Sequence, residues 1–193
     1  MLITIYGINN IGKSTHAKLL VEKLQAEGKK AVYLKYPIYD ILPSGNFLNK
    51  SVRSEKQEIS EEELQMWFAL NRMQYQPTLQ KLLNEGNYVI AEDYTWTGIT
   101  WGTLKGADRE WLKKINEPLV KEDAAILMYG ERQIGAEEDV HIHERNNELL
   151  ERCQELFLQA AEENDWSKVE LQKKVEDTAA LMWETLKSHI AND

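Results

Sequence analysis

The feature that most constrains this chain is a glycine-bounded loop near its start, directly after a short run of apolar residues. The loop matches the pattern G-x-x-x-x-G-K-[ST], which requires a strand before the loop and a helix after it. Glycines at both ends permit positive φ angles and close approach of the backbone, so successive N–H groups can turn towards a polyphosphate. The sequence therefore predicts a phosphate-binding loop formed by Gly7, Ile8, Asn9, Asn10, Ile11, Gly12, Lys13, Ser14 and Thr15.

Two side chains at the end of the loop carry the chemistry of the motif. Lys13 supplies a mobile positive charge for the β- and γ-phosphates, and the Ser14 hydroxyl can bind Mg²⁺. The N-terminus of the following helix adds positive potential at the same place. We therefore expect the loop to hold a nucleoside triphosphate together with Mg²⁺.

Composition limits the kinds of partner. The net charge of −9 argues against a nucleic-acid-binding surface, because a duplex requires a basic face. The single cysteine, Cys153, excludes an intrachain disulfide, and its place in an apolar helical pattern predicts a core residue. No apolar run approaches the length of a membrane span, and the start of the chain lacks the basic flank of a signal peptide. We expect a cytoplasmic protein without nucleic-acid or membrane partners, in which a few local cations hold anionic ligands.

Strand and helix patterns alternate along the 193 residues, which predicts an α/β fold in one domain, with a central parallel sheet of about five strands flanked by helices. Ser60 and Glu63 form a capping box ahead of a long helix, which Pro77 should kink or split. Segment 130–147 is polar and lacks periodicity, so it predicts a mobile loop. The predicted strands lie at 2–6, 31–36, 87–91, 124–128 and 167–171.

An acidic pair ends the third predicted strand. In a parallel sheet the loops that follow the strands share one edge, so Glu92 and Asp93 should lie beside the phosphate-binding loop. Carboxylates at that place could hold Mg²⁺ directly or through water. The alternative is that one of the two acids caps the helix that follows.

The order of motifs resembles the thymidylate kinases, a family of P-loop nucleoside monophosphate kinases, over nearly the whole chain. Tyr36-Pro37 corresponds to an F-P pair of that family, and 68–72 repeats its F-x-x-N-R run. Segment 92–101 resembles D-R-Y-x-x-S-G-x-x-F, and 166–170 resembles the segment whose backbone flanks adenine. The resemblance implies a P-loop kinase fold with a lid near 130–147, in-line phosphoryl transfer from ATP with Mg²⁺, and a homodimer.

The resemblance also implies an acceptor site. In the family an aromatic ring stacks on thymine and an arginine bonds its carbonyl edge; Phe68 and Arg72 match these residues and share one helix face. From the pattern alone, Phe68 could equally be a core residue. Asn9 stands where the family has an acid that reaches the acceptor sugar. The expected substrate-binding residues are Asn9, Tyr36, Pro37, Phe68, Arg72, Asp93, Tyr94, Thr97 and Gly98.

The catalytic residues follow from the same resemblance. Kinases of this type place an arginine either in the phosphate-binding loop or on the lid, and this loop has Asn10 at that position. Arg132 and Arg145 are therefore the candidates on the lid, unless they are solvated surface charges. The expected catalytic residues are Lys13, Glu92, Arg132 and Arg145, and the expected Mg²⁺ ligands are Ser14 and Glu92.

Two departures from the family bear on the acceptor. Tyr39 and Asp93 stand where two arginines clamp the acceptor's monophosphate. A carboxylate repels a phosphate charge 4 Å away by about 1 kcal/mol even at the dielectric constant of water. Asp93 would thus oppose a monophosphate unless Mg²⁺ or a cation such as Lys35, Arg53 or Arg72 lies between them.

The sequence is compatible with three functions. The set of motifs favours phosphorylation of a pyrimidine deoxynucleotide, dTMP to dTDP. A deoxynucleoside kinase acting on thymidine or another deoxynucleoside is the first alternative, because a neutral hydroxyl acceptor avoids repulsion by Asp93. Deoxynucleoside kinases also carry a Glu after the corresponding strand, but an Arg follows that Glu, and this chain has Asp93 there. A non-catalytic ATP-binding module is the second alternative, against which the intact Lys13 and Ser14 argue.

Overall fold

The structure is a computed structural model in which residues 1–54, 57–131 and 147–191 are described. Five strands form one sheet, and every neighbouring pair is parallel. Their order across the sheet is β2-β3-β1-β4-β5. The strands are β1 (Leu2–Tyr6), β2 (Ala31–Lys35), β3 (Tyr88–Glu92), β4 (Ala124–Tyr129) and β5 (Ser167–Glu170). The α/β fold and the five-stranded parallel sheet predicted from the sequence are confirmed.

Helices connect and flank the strands. Those in the described ranges are α1 (Lys13–Ala26), α2 (Ser44–Ser51), α3 (Glu61–Asn84), α4 (Thr95–Leu104), α5 (Arg109–Asn116), α6 (Asn147–Glu163) and α7 (Val175–Ile190). Every residue of β1 is buried, and β3 and β4, which pair with it on either side, are each buried at all positions but one. Because successive side chains of a strand point to opposite faces, the sheet is covered on both.

The position of β1 determines where a ligand can bind. It lies between β3 and β4, so the chain crosses over it when it passes from one half of the sheet to the other. In open α/β sheets, ligands bind beyond the carboxyl ends of the strands at such a point. The loop after β1 and the acids at the end of β3 both lie there.

The long helix α3 begins as predicted. The Ser60 side chain accepts a hydrogen bond of 3.1 Å from the backbone N–H of Glu63. The helix then continues through Pro77, which therefore does not split it. Buried Leu64 and Leu79 lie on either side of the proline, and their packing maintains the helix although proline donates no backbone hydrogen bond.

The helix α4 is not predicted by the sequence pattern. Its residues include glycine, threonine and tryptophan, which have low intrinsic helix propensity. Ile99 and Trp101 are buried, and the helix packs against α3, α5 and α6. Tertiary packing therefore outweighs local propensity in this segment.

Cys153 is a fully buried core residue, as predicted, and burial raises the pKa of its thiol to about 12. Its thiolate form is therefore suppressed at neutral pH. Among the helices of the described ranges, none is long and apolar enough to cross a membrane.

Candidate active site

The loop between β1 and α1 has the backbone conformation of an anion-binding loop. Gly7, Asn10 and Gly12 have φ angles of 146°, 60° and 96°, and runs that alternate with such conformations form concave arrays of N–H groups. A Cβ atom on Gly7 would lie 2.5 Å from the carbonyl oxygen of Met128. Only glycine therefore fits at the start of the loop.

Lys13 is buried and its ammonium group lies against the loop. Its Nζ donates hydrogen bonds to the carbonyl oxygens of Gly7, at 2.8 Å, and Ile8, at 2.9 Å. It also lies 3.7 Å from Asp93 Oδ1. The positive charge is thus held where the loop would receive phosphate, as the motif predicts.

Ser14 and Glu92 are in direct contact. Ser14 Oγ donates a 2.8 Å hydrogen bond to Glu92 Oε1, Tyr33 donates to the other carboxylate oxygen, and Lys35 Nζ lies 3.2 Å from Glu92 Oε1. Burial on its own raises the pKa of Glu92. The hydrogen bonds from Tyr33 and Ser14 and the charges of Lys35 and Lys13 outweigh it, so the pKa lies below its ordinary value. The carboxylate is therefore ionised at neutral pH.

This pair fits a magnesium site. A hydroxyl and a carboxylate are the hard oxygen ligands that Mg²⁺ prefers, and magnesium in nucleotide sites takes its other ligands from phosphates and water. In the part of the chain that the structure describes, no group of three or more His, Cys, Asp or Glu residues forms an all-protein metal cage. Ser14 and Glu92 are thus the residues that would hold the ion.

Asp93 has a different environment from its neighbour. It adopts a left-handed conformation with φ of 57°, and its Oδ1 accepts a 2.9 Å hydrogen bond from Thr97 Oγ1. Burial raises its pKa, and Glu92 adds to this, although Lys13 acts in the opposite direction. The helix α4 begins without a side-chain cap, so the capping alternative for this acid is not what the structure has.

Arg72 on α3 is 4% exposed, with its guanidinium fixed by two other helices. Its Nη1 donates a 3.0 Å hydrogen bond to Asn116 Oδ1 at the end of α5. A Cβ atom on Gly98 of α4 would lie 3.1 Å from Arg72 Nη2 and 2.7 Å from Gln65 Oε1. The absence of a side chain at Gly98 therefore makes room for the guanidinium. Sequence reasoning missed Asn116, because no motif contains it.

Phe68 lies one turn before Arg72 and is half-buried. It belongs to neither apolar cluster of the core in the described residues. The interpretation of Phe68 as a core residue is therefore not favoured. An exposed part of its ring can serve as a stacking surface.

The asparagine of the F-x-x-N-R run has a structural role. The side chain of Asn71 accepts a hydrogen bond from Ile38 N and donates one to Ile38 O, both at 2.8 Å. It also donates to Ser44 Oγ at 3.0 Å. Asn71 thus fastens the segment after Tyr36-Pro37 to α3, next to the residue that is expected to bind the base.

Two tyrosines, Tyr36 and Tyr94, lie near Arg72. The rings of Tyr36 and Tyr94 are 5.0 Å apart between centroids, and the Tyr94 hydroxyl donates a 3.0 Å hydrogen bond to Val120 O. Burial raises the pKa of both phenols, and the positive charge of Arg72 acts in the opposite direction on each. The structure therefore brings Tyr36, which follows β2, and Tyr94, which precedes α4, together near Arg72 of α3.

The environment of Tyr39 contains two cations. Burial raises the pKa of its phenol, while the charges of Arg53 and Lys35 lower it and Asp93 raises it. Lys35 Nζ is also 3.4 Å from Ser14 Oγ. Positive side chains are thus near both positions at which the family's clamp arginines are replaced.

The structure describes some of the remaining expected residues and leaves the two lid arginines outside its described ranges. Asn9 and Asn10 are half-buried in the loop, and Pro37 is half-buried after β2. Arg132 and Arg145 fall outside the described residues, as does most of the expected lid. Trp166, at the expected adenine-flanking segment, stacks on Tyr6 with centroids 4.6 Å apart.

Comparisons with known proteins agree with this geometry. The thymidylate kinase of Homo sapiens is 26% identical over 180 residues, which cover 91% of this chain and 84% of that protein. The thymidylate kinase of Schizosaccharomyces pombe is 28% identical over 151 residues, which cover 77% of this chain and 70% of that protein. A solved structure of thymidylate kinase from Candida albicans shares the fold with a TM-score of 0.79 at 23% identity, covering 100% of this chain and 93% of that one.

The family model for thymidylate kinase matches residues 5–181. Thymidylate kinases are phosphotransferases that use ATP as phosphate donor, generally with Mg²⁺, and act on small nucleotides. The match includes the phosphate-binding loop, the acids of β3 and the α3 residues described above. The chain therefore belongs to the thymidylate kinase family.

Proposed function

We propose that this protein transfers the γ-phosphoryl group of ATP to dTMP, forming dTDP and ADP. The observation that carries the proposal is the link between the donor loop and the acceptor pocket. Asp93 lies 3.7 Å from Lys13, and α4, which begins two residues later, packs Gly98 against the guanidinium of Arg72. Asp93 and α4 thus connect the phosphate-binding loop to Arg72, the residue expected to bind the pyrimidine, in a chain of the thymidylate kinase family.

In this proposal the protein mainly positions groups and neutralises charge during an in-line transfer. The loop backbone and Lys13 bind the β- and γ-phosphates of ATP. Ser14 and Glu92 hold Mg²⁺, which supplies charge neutralisation at the donor phosphates. Arg132 and Arg145 are the candidates for the lid arginines that would act on the transferred group.

The acceptor is held by a second set of residues. Phe68 stacks on the thymine ring, Arg72 donates to its carbonyl edge, and Asn9 hydrogen-bonds the 3′-hydroxyl. Lys35 and Arg53, the two cations near Tyr39, substitute for the missing clamp arginines and bind the acceptor's phosphate. The walls of the pocket are Tyr36, Pro37, Asp93, Tyr94, Thr97 and Gly98.

A nucleoside kinase acting on thymidine is the second candidate, and the carboxylate of Asp93 is the observation that favours it. Two facts reduce its weight. Lys13 lies close enough to offset much of the carboxylate's charge, and burial raises the pKa of Asp93, which weakens its repulsion of a phosphate. The family assignment favours the nucleotide, and neither the nucleoside kinase nor the non-catalytic module is supported by the relatives.

We further propose that the protein is a homodimer. Met66, Leu70 and Met73 are at least 38% exposed and lie on one side of α3. An apolar stripe of this kind supports burial against a second copy of the chain. Sedimentation at twice the 22.4 kDa of one chain would agree with a dimer. The single domain, the cytoplasmic location and the absence of nucleic-acid partners stay predictions.

The experiment that tests the function is ATP consumption with Mg²⁺ across a panel of acceptors. dTMP and thymidine are compared side by side, followed by the other nucleosides and monophosphates. We expect dTMP to be the best acceptor.

Lys13→Ala should lower turnover by orders of magnitude with an unchanged circular dichroism spectrum, because it removes the charge at the donor phosphates. Preference for thymidine, or near-normal turnover by the folded Lys13→Ala protein, would contradict the proposal.

A further inference from the structure

A third side chain contacts both residues that are expected to hold Mg²⁺. Lys35 Nζ lies 3.2 Å from Glu92 Oε1 and donates a 3.4 Å hydrogen bond to Ser14 Oγ. Ser14 Oγ in turn donates to the same Glu92 oxygen at 2.8 Å. One ammonium group therefore contacts the two oxygen atoms that are the expected ligands of the metal ion.

The spacing of these two oxygens suits a cation. Adjacent ligands of an octahedral Mg²⁺, each about 2.0–2.1 Å from the ion, are about 2.9 Å apart. The oxygens of Ser14 and Glu92 are 2.8 Å apart. An ammonium group and Mg²⁺ compete for such a pair, because both require its lone pairs and because like charges repel each other at this range.

The carboxylate is fixed, whereas the lysine can move. Tyr33 donates to the second carboxylate oxygen of Glu92. The Glu92 side chain is 4% exposed and the Lys35 side chain is 44% exposed. Tyr33 and Lys35 lie two residues apart on the edge strand β2, so they approach Glu92 from the same face of the sheet. Loss of the contact with Lys35 would thus leave Glu92 held by Tyr33 and Ser14.

The position of Lys35 also fits a second partner. It is the last residue of β2, four residues before Tyr39, where the family has a clamp arginine. Tyr36 N donates a 3.0 Å hydrogen bond to Glu92 O, which holds this part of the chain beside the end of β3. Burial raises the pKa of Tyr39 and of Asp93, and the charge of Lys35 acts against it in both. Lys35 thus lies where the magnesium site adjoins the proposed site of the acceptor's phosphate.

We propose that Lys35 couples the two substrates by acting as an exchangeable counter-ion of the magnesium site. In the free protein its ammonium group holds Ser14 and Glu92. When Mg²⁺–ATP fills the donor site, the ammonium group is displaced from both oxygens and becomes available to the acceptor's phosphate. Without Mg²⁺–ATP, dTMP must first break the pair with Glu92, so each substrate strengthens the binding of the other. The inference rests on the proposed function in taking dTMP as the acceptor.

The first test is calorimetric titration of the wild type, Lys35→Met and the control Lys30→Met with a non-hydrolysable ATP analogue and Mg²⁺. Lys30 precedes the other end of β2, and each variant removes one positive charge. We expect Lys35→Met to bind the Mg²⁺ complex of the analogue about fivefold more tightly than the wild type, since no ammonium group competes. With EDTA in place of Mg²⁺ this gain should vanish. Lys30→Met should match the wild type.

The second test is titration with dTMP, with and without the Mg²⁺ complex of the analogue. In the wild type the complex should strengthen dTMP binding about fivefold, because Lys35 has already left Glu92. In Lys35→Met this coupling should disappear, and in Lys30→Met it should persist.

Several results would overturn the inference. Equal affinity of the wild type and Lys35→Met for the Mg²⁺ complex is one, and undiminished coupling in Lys35→Met is another. Weaker binding of the complex by Lys35→Met would instead make Lys35 a ligand of the donor phosphates. If dTMP binds but accepts no phosphoryl group, the proposed function fails while both titrations still decide the role of Lys35. If dTMP does not bind the wild type, the proposed function and the coupling fail together, and the first titration still decides whether Lys35 competes with Mg²⁺. A wild type that does not bind the analogue would overturn both.

Discussion

At the level of single residues, the two acids at the end of β3 have pKa values shifted in opposite directions, because their surroundings differ. Glu92 accepts hydrogen bonds from Tyr33 and Ser14, and its pKa is lowered. Asp93, one residue later, is buried against fewer donors and its pKa is raised. Neighbouring carboxylates with opposite pKa shifts can serve different roles, one as a fixed charge for a metal ion and one as a group that responds to its ligands.

Tyr33→Phe tests the role of Glu92. Loss of the hydrogen bond from Tyr33 should raise the pKa of Glu92, since that bond stabilises the ionised form. If ionised Glu92 is needed for Mg²⁺, the acidic limb of the profile of kcat/KM against pH moves to higher pH. Tyr88→Phe, at the opposite end of the sheet, is the control. An acidic limb in the same place for both variants would show that Glu92 does not limit activity.

Asp93→Asn tests the effect of the unusual carboxylate on stability. Asparagine tolerates the left-handed conformation at this position, whereas arginine would be strained. The folded carboxyl holds its proton more tightly than the unfolded one, so its ionisation costs stability above the unfolded pKa of about 3.9. Asp93→Asn should therefore increase the free energy of unfolding at pH 7, and the gain should shrink as the pH falls. Urea unfolding between pH 5 and pH 8 measures this.

The same variant also bears on the acceptor. Removing the negative charge should lower KM for dTMP several-fold, because repulsion of the phosphate is relieved. KM for thymidine, which is uncharged, should change much less. If both values stay at the wild-type level, Asp93 does not face the acceptor's phosphate.

At the level of secondary-structure elements, the donor half of the site could be predicted and much of the acceptor half could not. The loop after β1 is encoded in nine consecutive residues, so its spacing alone predicts its conformation. Asn116 binds Arg72 from 44 positions away, and Tyr33 binds Glu92 from 59 positions away. Contacts of this kind depend on how α5 and β2 pack, which no local pattern contains.

The helix α4 shows the same limit. The residues of α4 have low helix propensity, so the sequence pattern does not predict this helix. It nevertheless carries Thr97 and Gly98, two of the expected substrate-binding residues. The F-x-x-N-R run predicted that Arg72 is functional, but only the packing of α4 on α3 explains why glycine is needed at position 98.

Gly98→Ala tests this packing. The new Cβ would lie 2.7 Å from Gln65 Oε1 and 3.1 Å from Arg72 Nη2, so at least one of these side chains must move. KM for dTMP should rise about tenfold, the cost of a disturbed hydrogen bond to a charged group. KM for ATP should not change. Thr103→Ala, near the end of the same helix, is the control, and equal kinetics for the two variants would contradict the assigned role of Gly98.

At the level of the whole molecule, alternation of strands and helices was enough to predict the parallel α/β sheet, because each strand pattern is short, apolar and followed by a helix pattern. The order of the strands has no such local sign, since it depends on which connections cross the sheet. The acidic surface, with a net charge of −9, leaves binding of two anionic substrates to cations within the cleft. In the proposed function, Lys13, Lys35 and Arg53 are the described side chains that would bind these phosphates.

In the proposed function, a phosphoryl group passes from ATP to dTMP at this site. The most direct measurement follows the label of γ-³²P-ATP in the presence of Mg²⁺ and either dTMP or thymidine, with the products separated by chromatography. We expect labelled dTDP as the main product and little labelled dTMP from thymidine. Labelled dTMP from thymidine with no dTDP, or label that stays in ATP with both acceptors, would contradict it.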